Sequence, residues 1–535
     1  NLSRIRDVEP VTSLAAGSRP ECNDVMGEHV WVGPGPVSFD DVVAVARREA
    51  AVSLTDEALA AIDRARAVID TLAAGETPTY GVSTGFGALA TRHIPTELRA
   101  QLQRSLVRSH AAGSGPEVER EVVRALMLLR LKTLASGRTG VRPLVAQTLA
   151  DLLNAGITPV VHEFGSLGCS GDLAPLAHCA LVLMGEGRAT GPDGVERPVP
   201  ELLAEAGIAP VELVEKEGLA LINGTDGMLG MLALALADLD LLTDTADVVA
   251  AMSVEGLLGT DRVFEADLHV ELRPHPGQAT SAANMLRTLA GSGIVASHRA
   301  GDDRVQDAYS LRCAPQVTGA VRDTVDHARL VAQRELAAAI DNPVVLADGS
   351  VSSNGNFHGA PVGYVLDFLA IAVADLGSMS ERRTDRMLDA RRSHGLPPFL
   401  ADDPGVDSGL MIAQYTQAAI VSELKRLAVP ASVDSIPSSA MQEDHVSMGW
   451  SAARKLRRSV DNLRSVLAIE LVVAARGLEL RRPLTAAPVT ASVVSALREI
   501  VPGPGGDRFL SPELEQSIEF LRSGALSRVA AGFGL

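Results

Sequence analysis

Long runs rich in Ala, Leu and Val are the feature that most constrains the fold of this chain. In the run 118–134, apolar residues return every three or four positions, from Val118 and Val122 to Leu134, and Gly137 follows as a stop signal. Similar helical runs cover 39–48, 56–73, 144–154, 225–252, 279–289, 317–339, 359–383, 407–428, 450–477 and 511–523. Sustained alternation of apolar and polar residues, which is typical of strands, is nearly absent. We therefore predict a mostly α fold, a long central helix bundle with only short strands near the N-terminal third.

The charge balance argues against two large classes of partner. The 535 residues include 48 Lys and Arg against 66 Asp and Glu, a net charge of −18. No long basic run is present, so the sequence lacks the positive surface that nucleic acids and anionic membranes require. The apolar stretch 227–236 is too short to span a bilayer, and 361–376 carries Asp367 and Asp375. We therefore expect neither a nucleic-acid partner nor a membrane partner.

The cysteines and the N-terminus bear on the compartment and on the domain organisation. Cys22, Cys169, Cys179 and Cys313 show no CxxC spacing, which argues against a zinc ribbon, an iron–sulfur cluster or a disulfide scaffold. This use of cysteine suits a protein of a reducing compartment, so we expect the protein to be cytoplasmic. Residues 1–26 are polar and lack the apolar core of a secretory signal.

We expect one continuous globular unit after a disordered leader. The leader would cover 1–35, with Met26 as the expected natural start. An N-terminal part at 36–230 carries the main glycine-rich loop, and the helix bundle with the C-terminal helices occupies 231–535. No polar linker separates these two parts.

A glycine-rich segment at 165–178, GSLGCSGDLAPLAH, interrupts the helical pattern. We expect chemistry in such a loop, because loops on a rigid scaffold carry function. By composition it is an ordinary turn before a helix, with Pro175 in the first helical turn. A phosphate cradle is a second interpretation, but the spacing fits neither GxGxxG nor the Walker A pattern, which also needs a Lys.

The order of residues at 169–176, CSGDLAPL, closely resembles the prosthetic-group loop of the histidine and aromatic amino acid ammonia-lyases. In that family an Ala-Ser-Gly tripeptide cyclises into 4-methylideneimidazol-5-one (MIO), an electrophile made from backbone. The resemblance implies that Cys169, Ser170 and Gly171 form this group, with no pyridoxal phosphate and no nucleotide. Because a Gly nitrogen carries no crowding side chain, it can attack the carbonyl two residues earlier. Cys169 departs from the usual Ala, but only its carbonyl enters the ring, so we expect the ring to form.

A second loop, 80–87, has the sequence YGVSTGFG and begins with one of only four tyrosines. By composition it is a flexible connection that leaves the Tyr80 phenol mobile. It matches the family's Y-G-x-x-T-G-F-G loop, whose Tyr is the proposed base for the β-proton, and the resemblance implies this role for Tyr80. A phenol of pKa about 10 needs neighbouring charge to act as a base at neutral pH. We expect the electron-poor ring and a nearby Arg to lower the pKa of Tyr80.

Three further loops match motifs of the family in the same order, and they lie at 221–225 (LINGT), 306–316 (QDAYSLRCAPQ) and 354–359 (NGNFHG). By composition alone they are a helix N-terminal turn, a solvated helix edge and a capped helix entry. The resemblance implies that Asn223 hydrogen-bonds substrate or ring and that Arg312 clamps the substrate carboxylate. It also implies that Tyr309, as a catalytic residue, and Gln306 line the site, and that Phe357 packs around the ring. If the segment is helical, Gln306, Tyr309 and Arg312 share one face.

Two positions bear on the choice of substrate. In 441–447, MQEDHVS, the adjacent Glu443, Asp444 and His445 suggest a metal site, but neighbouring side chains point in different directions, so we predict no metal. In the resembling family, histidine-specific members carry Glu where phenylalanine and tyrosine lyases usually carry Gln. A carboxylate accepts from an imidazole N–H, whereas a phenyl ring offers no such donor. His110 matches the Ser-His pair of histidine lyases, although tyrosine lyases can also have His there.

The resemblance extends from about residue 37 to the end of the chain. It implies a fumarase/ammonia-lyase-like fold and a carbon–nitrogen lyase that converts L-histidine to trans-urocanate and ammonia, the first step of histidine degradation. Members of the family are homotetramers in which loops from three subunits complete each site. The implied partners are therefore L-histidine and further copies of this chain.

Three alternatives remain at this stage. A tyrosine or phenylalanine ammonia-lyase, or an aminomutase, would share the ring and the fold, but Glu443 and His110 argue against it. A fumarase-type lyase would carry a G-S-x-x-M-P-x-K-x-N loop, which the sequence lacks. A non-enzymatic helical protein would keep residues 169–171 unmodified, so its mass would show no loss of two waters.

Overall fold

The computed structural model describes residues 28–75, 78–302 and 304–535 and consists mainly of helices. The helices of the N-terminal part are α1 (Phe39–Arg47), α2 (Asp56–Ala74), α3 (Thr96–His110), α4 (Arg120–Ala135), α5 (Pro143–Asn154), α6 (Leu173–Leu183), α7 (Val199–Glu205) and α8 (Glu217–Ile222). The later helices are α9 (Asp226–Gly256), α10 (Ala266–His269), α11 (Pro276–Leu289), α12 (Gly293–Ala296), α13 (Tyr309–Arg312), α14 (Ala314–Ala337), α15 (Ala360–Leu388), α16 (Met411–Leu427), α17 (Gly449–Leu480), α18 (Pro488–Arg498), α19 (Ser511–Arg522) and α20 (Ala525–Ala531). The mostly α prediction is confirmed.

The strands are short and form small separate sheets. They are β1 (His29–Val32), β2 (Ala51–Leu54), β3 (Ser114–Glu117), β4 (Thr158–Pro159), β5 (His162–Phe164), β6 (Arg188–Thr190), β7 (Glu196–Pro198), β8 (Val344–Val345) and β9 (Val351–Ser352). β1 pairs in parallel with β2, whereas β3–β5, β4–β6–β7 and β8–β9 are antiparallel. The last pair lies beyond the N-terminal third, where no strand was predicted.

Helix α9 is the centre of the bundle. Its residues are apolar around the whole helix rather than along one stripe, and nearly all of them are buried. Helices α14, α15 and α17 pack against α9, and α15 and α17 also pack along each other. From the N-terminal part, α1 and α4 contact α9 as well, which supports the proposal that the two predicted parts form one continuous unit.

The first strand changes the predicted boundary of the leader. β1 (His29–Val32) pairs residue by residue with β2, from His29 opposite Ala51 to Val32 opposite Leu54, and buries Val30 and Val32. Residues 29–32 of the predicted leader 1–35 are therefore ordered, because this short strand gains its stability from pairing with β2 and not from local sequence. Met26 and the rest of 1–27 lie outside the described residues.

Among the described residues, one helix is long and apolar enough to cross a membrane by length and composition. This helix is α15, with a mean hydropathy of 1.6 over its most apolar window, 61% of which is buried inside the protein. Its Asp367 accepts hydrogen bonds from the Ser432 amide at 2.7 Å and from Lys455 Nζ at 2.8 Å. Packing on α17 and α9 accounts for the buried apolar side chains of α15.

An ion pair is buried where α9, α15 and α17 meet. Arg383 Nη2 donates to Glu470 Oε2 at 2.8 Å, and both side chains are almost fully excluded from solvent. Ser253 and Ser380 each donate to Glu470 at 2.6 Å, and Arg383 Nη1 also donates to the Ser310 carbonyl at 3.3 Å. The pair thus joins three core helices to α13, and every partner is hydrogen-bonded.

We predict that Arg383→Ala destabilises the protein by about 3–5 kcal/mol, because the substitution leaves the Glu470 carboxylate buried without its counter-charge. Thermal and urea unfolding followed by circular dichroism would measure the loss. The matched control is Arg426→Ala, which removes an exposed pair with Glu423 and should change stability by less than about 1 kcal/mol. Equal melting curves for the two variants would contradict this prediction.

Candidate active site

Four of the predicted loops meet at one cavity of about 520 Å³. Its lining contains Tyr80, Cys169, Ser170, Phe357 and Glu443, which are far apart in the sequence and were all predicted as site residues. The remaining lining residues are Gly87, Ala90, Asn342, Ser353, His358, Gln442, Asp444 and His445. The cavity therefore gathers one tyrosine, the predicted prosthetic tripeptide and a partly buried carboxylate.

The loop 165–172 is held between the N-termini of several helices. The Gly168 carbonyl accepts hydrogen bonds from the Gly359 amide at 3.1 Å and from Ser447 Oγ at 2.7 Å. Gly359 precedes the first residue of α15, and Ser447 in turn accepts from the Gly449 amide, the first residue of α17. The unpaired amides of a helix N-terminus carry partial positive charge, so this end of the bundle favours acceptors and negative groups.

Asp172 connects the same loop to the central helix. Its side chain is fully buried, accepts from Ser166 Oγ at 2.8 Å, and accepts from the Gly227 and Met228 amides at 2.9 Å each. Those amides belong to the first turn of α9. Burial raises the pKa of Asp172 to about 7, and these three donors oppose the shift because they favour the carboxylate.

Gly171 is required by the backbone of the loop. Its φ is +77°, and a Cβ at this position would lie 2.0 Å from the Gly224 carbonyl oxygen. The close approach allows a parallel bridge between Gly171 and Gly224, and the Asp172 amide donates to that same carbonyl at 2.7 Å. Only glycine satisfies both the left-handed conformation and the lack of space.

The side chains of the predicted tripeptide face a single carboxylate. Ser170 Oγ donates to Glu443 Oε1 at 3.1 Å, and Cys169 Sγ donates to Glu443 Oε2 at 3.1 Å. Behind them, Asn223 Nδ2 donates to the Ser170 carbonyl at 3.1 Å. The Asn223 Oδ1 atom is buried and has no hydrogen-bond partner among the described residues. One free acceptor therefore remains beside the loop for a bound molecule.

Tyr80 is held more firmly than its glycine-rich loop predicts. Its hydroxyl accepts from the Gly87 amide at 3.2 Å, and its ring meets Phe86 edge to face at 6.2 Å. The expected lowering of its pKa is wrong for the chain alone. Burial raises the pKa of Tyr80, and the charges of Glu443 and Asp341 raise it further, while the Gly87 amide opposes them. Among the residues that the structure describes, no arginine contributes to the pKa of Tyr80.

Burial and the charge of Glu443 also act on the pKa values of His110 and Cys169. His110, the last residue of α3, has its Nδ1 2.8 Å from the Leu106 carbonyl. Burial lowers the pKa of His110, while the Leu106 carbonyl and the charge of Glu443 raise it. Burial together with Glu443 raises the pKa of the Cys169 thiol to about 12, so this thiol is protonated and unreactive at neutral pH.

The other three predicted site residues, Gln306, Tyr309 and Arg312, lie at the opposite end of the bundle from the loop 165–172. Asp307 accepts from the Thr260 amide just beyond the C-terminus of α9, whereas the loop 165–172 contacts its N-terminus. A helix of 31 residues is roughly 45 Å long. The structure of one chain therefore does not bring together Gln306, Tyr309 and Arg312 with Ser170.

The prediction that Gln306, Tyr309 and Arg312 share one face of a helix is only partly correct. Tyr309 and Arg312 lie in α13, and the guanidinium of Arg312 lies 4.7 Å from the centre of the Tyr309 ring. Gln306 precedes this helix and is exposed in the loop, because α13 is only four residues long. Tyr309 is 71% exposed, so this pair presents a polar and aromatic surface to solvent in the isolated chain.

Sequence reasoning missed three groups at the cavity. Asp172 was part of the quoted motif but received no role, although an acidic residue directly before a helix is a signal for contact with helix amides. Ser438 donates to Glu443 Oε2 at 2.7 Å, and no sequence pattern predicts this contact. His358 and His445 stack with their Nε2 and Nδ1 atoms 3.2 Å apart. Among the described residues no group of three His, Cys, Asp or Glu could hold a metal ion.

We predict that Asp172→Asn gains stability relative to the unsubstituted protein as pH rises from about 4 to about 7. The folded-state pKa of Asp172 lies near 7, above its unfolded value of about 3.9, so folding retains a proton in this window and stability falls as pH rises. The difference should amount to a few kcal/mol at most. Urea unfolding across this range would measure it, with Asp348→Asn in an exposed turn as the control. A difference that does not change with pH would contradict the prediction.

Comparison with known proteins assigns the chain to a family. A family model described as aromatic amino acid lyase matches residues 37–499. The histidine ammonia-lyase of Streptomyces avermitilis is 70% identical over 502 residues, which cover 94% of this chain and 98% of the relative.

Solved structures agree with this assignment. The tyrosine aminomutase of Streptomyces globisporus is 38% identical with a TM-score of 0.89, and the match covers 94% of this chain and 98% of that one. The histidine ammonia-lyase of Trypanosoma cruzi is 38% identical with a TM-score of 0.87, covering 94% and 95%. The chain therefore belongs to the MIO-dependent aromatic amino acid lyase family.

Proposed function

We propose that the protein eliminates ammonia from L-histidine to give trans-urocanate, the first step of histidine degradation. The observation that carries the proposal is the position of Glu443, whose carboxylate faces the predicted prosthetic tripeptide inside the cavity. A carboxylate there can accept an imidazole N–H, which a phenyl or phenol ring does not offer. The 70% identity with histidine ammonia-lyases supports the same substrate, against 38% identity with the tyrosine aminomutase.

We further propose that Cys169, Ser170 and Gly171 form the MIO group. The residues present fit it, because Gly171 has the conformation that only glycine adopts and Asn223 holds the Ser170 carbonyl, an oxygen that the ring retains. The helix amides around Gly168 and Asp172 keep the loop in place. Once formed, the group supplies an electrophile that activates the substrate covalently.

The residues of the chain then bind and orient the substrate. Glu443 would accept from the imidazole, and His110, whose pKa burial lowers, can be neutral at physiological pH and hydrogen-bond without adding charge. Asn223 has a free buried Oδ1 that can accept from the substrate amine. Phe357 would cover the apolar part of the bound molecule. Fixed orientation of this kind lowers the entropic part of the barrier.

Tyr80 would remove the β-proton of the substrate. A phenol can act as a base only when deprotonated, and the Gly87 amide on its oxygen favours that form. Burial and the charges of Glu443 and Asp341 oppose it within one chain, so a positive group from outside is needed. We propose that Arg312 of another copy supplies this charge, clamps the substrate carboxylate, and brings Tyr309 and Gln306 to the same site.

We further propose that the protein is a homotetramer with shared sites, as the family resemblance implies. Large apolar side chains are exposed along α14, α15 and α16, and they are Leu330, Tyr364, Phe368, Ile371, Ile412 and Tyr415. A surface of this kind needs a partner, and we propose further copies of the same chain as that partner. The described cysteines, Cys169, Cys179 and Cys313, are free, which fits the cytoplasm as the compartment.

The proposed activity is tested by ultraviolet absorbance with L-histidine, L-tyrosine and L-phenylalanine as separate substrates. We expect product from L-histidine alone, and we expect Glu443→Gln to lower kcat/KM for L-histidine by about 100-fold, because a charged acceptor for a buried N–H is lost. The matched control is Glu499→Gln, at an exposed residue that ends α18 and does not line the cavity. Product from L-tyrosine or L-phenylalanine, in preference to L-histidine, would instead support the lyase or aminomutase alternative.

Complementation tests the shared site. We expect Ser170→Ala and Arg312→Ala each to abolish activity, and we expect their co-expression to restore activity in about a quarter of the sites. In such mixed tetramers one chain supplies Ser170 and another supplies Arg312. The control is co-expression of Ser170→Ala with a chain carrying both substitutions, which should stay inactive. Absence of recovery in the first mixture would contradict a site built from more than one chain.

A further inference from the structure

The two oxygens of Glu443 are bound by different sets of donors. Oε1 accepts from Ser170 Oγ at 3.1 Å. Oε2 accepts from Cys169 Sγ at 3.1 Å and from Ser438 Oγ at 2.7 Å. Ser438 lies on the same loop as Glu443, and their backbones form an antiparallel bridge. The carboxylate is therefore fixed by its own loop on one side and by the prosthetic tripeptide on the other.

Ring closure removes only one of these donors. The Gly171 nitrogen bonds to the Cys169 carbonyl carbon, and the Cys169 oxygen leaves as water with the amide hydrogens of Gly171 and Ser170, which leaves a carbon–nitrogen double bond. Ser170 then loses its Cα hydrogen and its hydroxyl as a second water, and a carbon–carbon double bond replaces the Cβ–O bond. Both steps are dehydrations and need no oxidant or reductant. Ser170 Oγ departs, whereas the Cys169 thiol and Ser438 hydroxyl remain.

We propose that Cys169 is a positioning residue for Glu443, which holds Oε2 together with Ser438 so that ring closure frees Oε1 alone for the substrate imidazole. The inference rests on the proposed function, because it assigns the freed oxygen to L-histidine. The loss of the Ser170 hydroxyl thus has two effects. It creates the methylidene, and it leaves Glu443 Oε1 free to accept a hydrogen bond. The Ala that is usual at the first position of the tripeptide in the family carries no side-chain donor for this purpose.

The thiol is suited to this role because it stays protonated. Burial and the adjacent Glu443 charge raise the pKa of Cys169 to about 12, so at neutral pH the thiol donates and does not compete with the ring as a nucleophile. The other titratable groups that line the same cavity or act on Glu443 are Tyr80, His110, His358, Asp444 and His445. The hydrogen bond of the thiol is to Glu443 itself.

Kinetics of Cys169→Ala and Cys169→Ser provide the first test. Both variants should lose two waters at the tripeptide, because only the carbonyl of residue 169 enters the ring. In Cys169→Ala, KM for L-histidine should rise about tenfold with kcat changed by less than about twofold, since one hydrogen bond to a charged acceptor is lost. Cys169→Ser, which keeps a donor, should restore KM to within about threefold of the original value. The matched control, Cys179→Ala, removes a buried thiol on α6 and should leave KM unchanged.

The second test does not depend on activity. Because the Glu443 charge raises the pKa of the Cys169 thiol, Glu443→Gln should increase the rate of alkylation of Cys169 by iodoacetamide. At a fixed pH of about 9 we expect an increase of about tenfold, measured by mass spectrometry of the peptides. Cys179 is an internal control, because burial alone raises the pKa of its thiol.

These tests separate failure of the inference from failure of the proposed function. An unchanged KM in Cys169→Ala, with the ring formed and L-histidine turned over, would overturn the positioning role. Equal alkylation rates of Cys169 in the Glu443→Gln variant and in the unsubstituted protein would overturn the contact itself. If the unsubstituted protein did not act on L-histidine, the proposed function would fail, and the alkylation rates would still decide whether Glu443 holds the thiol.

Discussion

The convergence of helix N-termini on the loop 165–172 is the constraint on which the rest of the site depends. Helices α6, α9, α15 and α17 all begin beside this loop, and their unpaired amides or capping side chains bind its carbonyls and the Asp172 carboxylate. Helices of this length are rigid because they pack on each other along the bundle. A flexible glycine-rich loop is thereby fixed in one conformation by contacts with the most stable part of the fold.

The same arrangement determines the electrostatics of the cavity. The first-turn amides of α9 make it possible to bury Asp172. Glu443 lies close to the tripeptide, and its charge adds to burial in raising the pKa values of Cys169 and Tyr80. Tyr80 shows the cost most clearly, because burial and two acidic groups disfavour the phenolate that a base requires. In the described part of one chain, the cavity therefore has its acceptors and its electrophile precursor, but no Lys or Arg lines it. The arginine that could balance it, Arg312, lies at the far end of α9.

Much of this could be predicted from the sequence because the signals are local or belong to a recognisable motif. The helices follow from the 3.6-residue period, and the meeting of Tyr80, Ser170, Phe357 and Glu443 follows from the resemblance. Other features depend on distant partners and leave no local signal. The pKa of Tyr80 is raised by burial and by two acidic residues more than 250 positions away, and β1 is ordered by β2. The one-face spacing of Gln306 assumed a helix that begins only at Tyr309.

The mass of the peptide that contains Cys169, Ser170 and Gly171, taken from the purified protein, tests most directly whether this loop is built to close into a ring. The rigid setting of Gly171 and the contact between Asn223 and the Ser170 carbonyl predict a peptide lighter by two waters than its sequence requires. A peptide with the full unmodified mass, from a folded protein, would contradict the proposal that these helices hold the tripeptide for cyclisation.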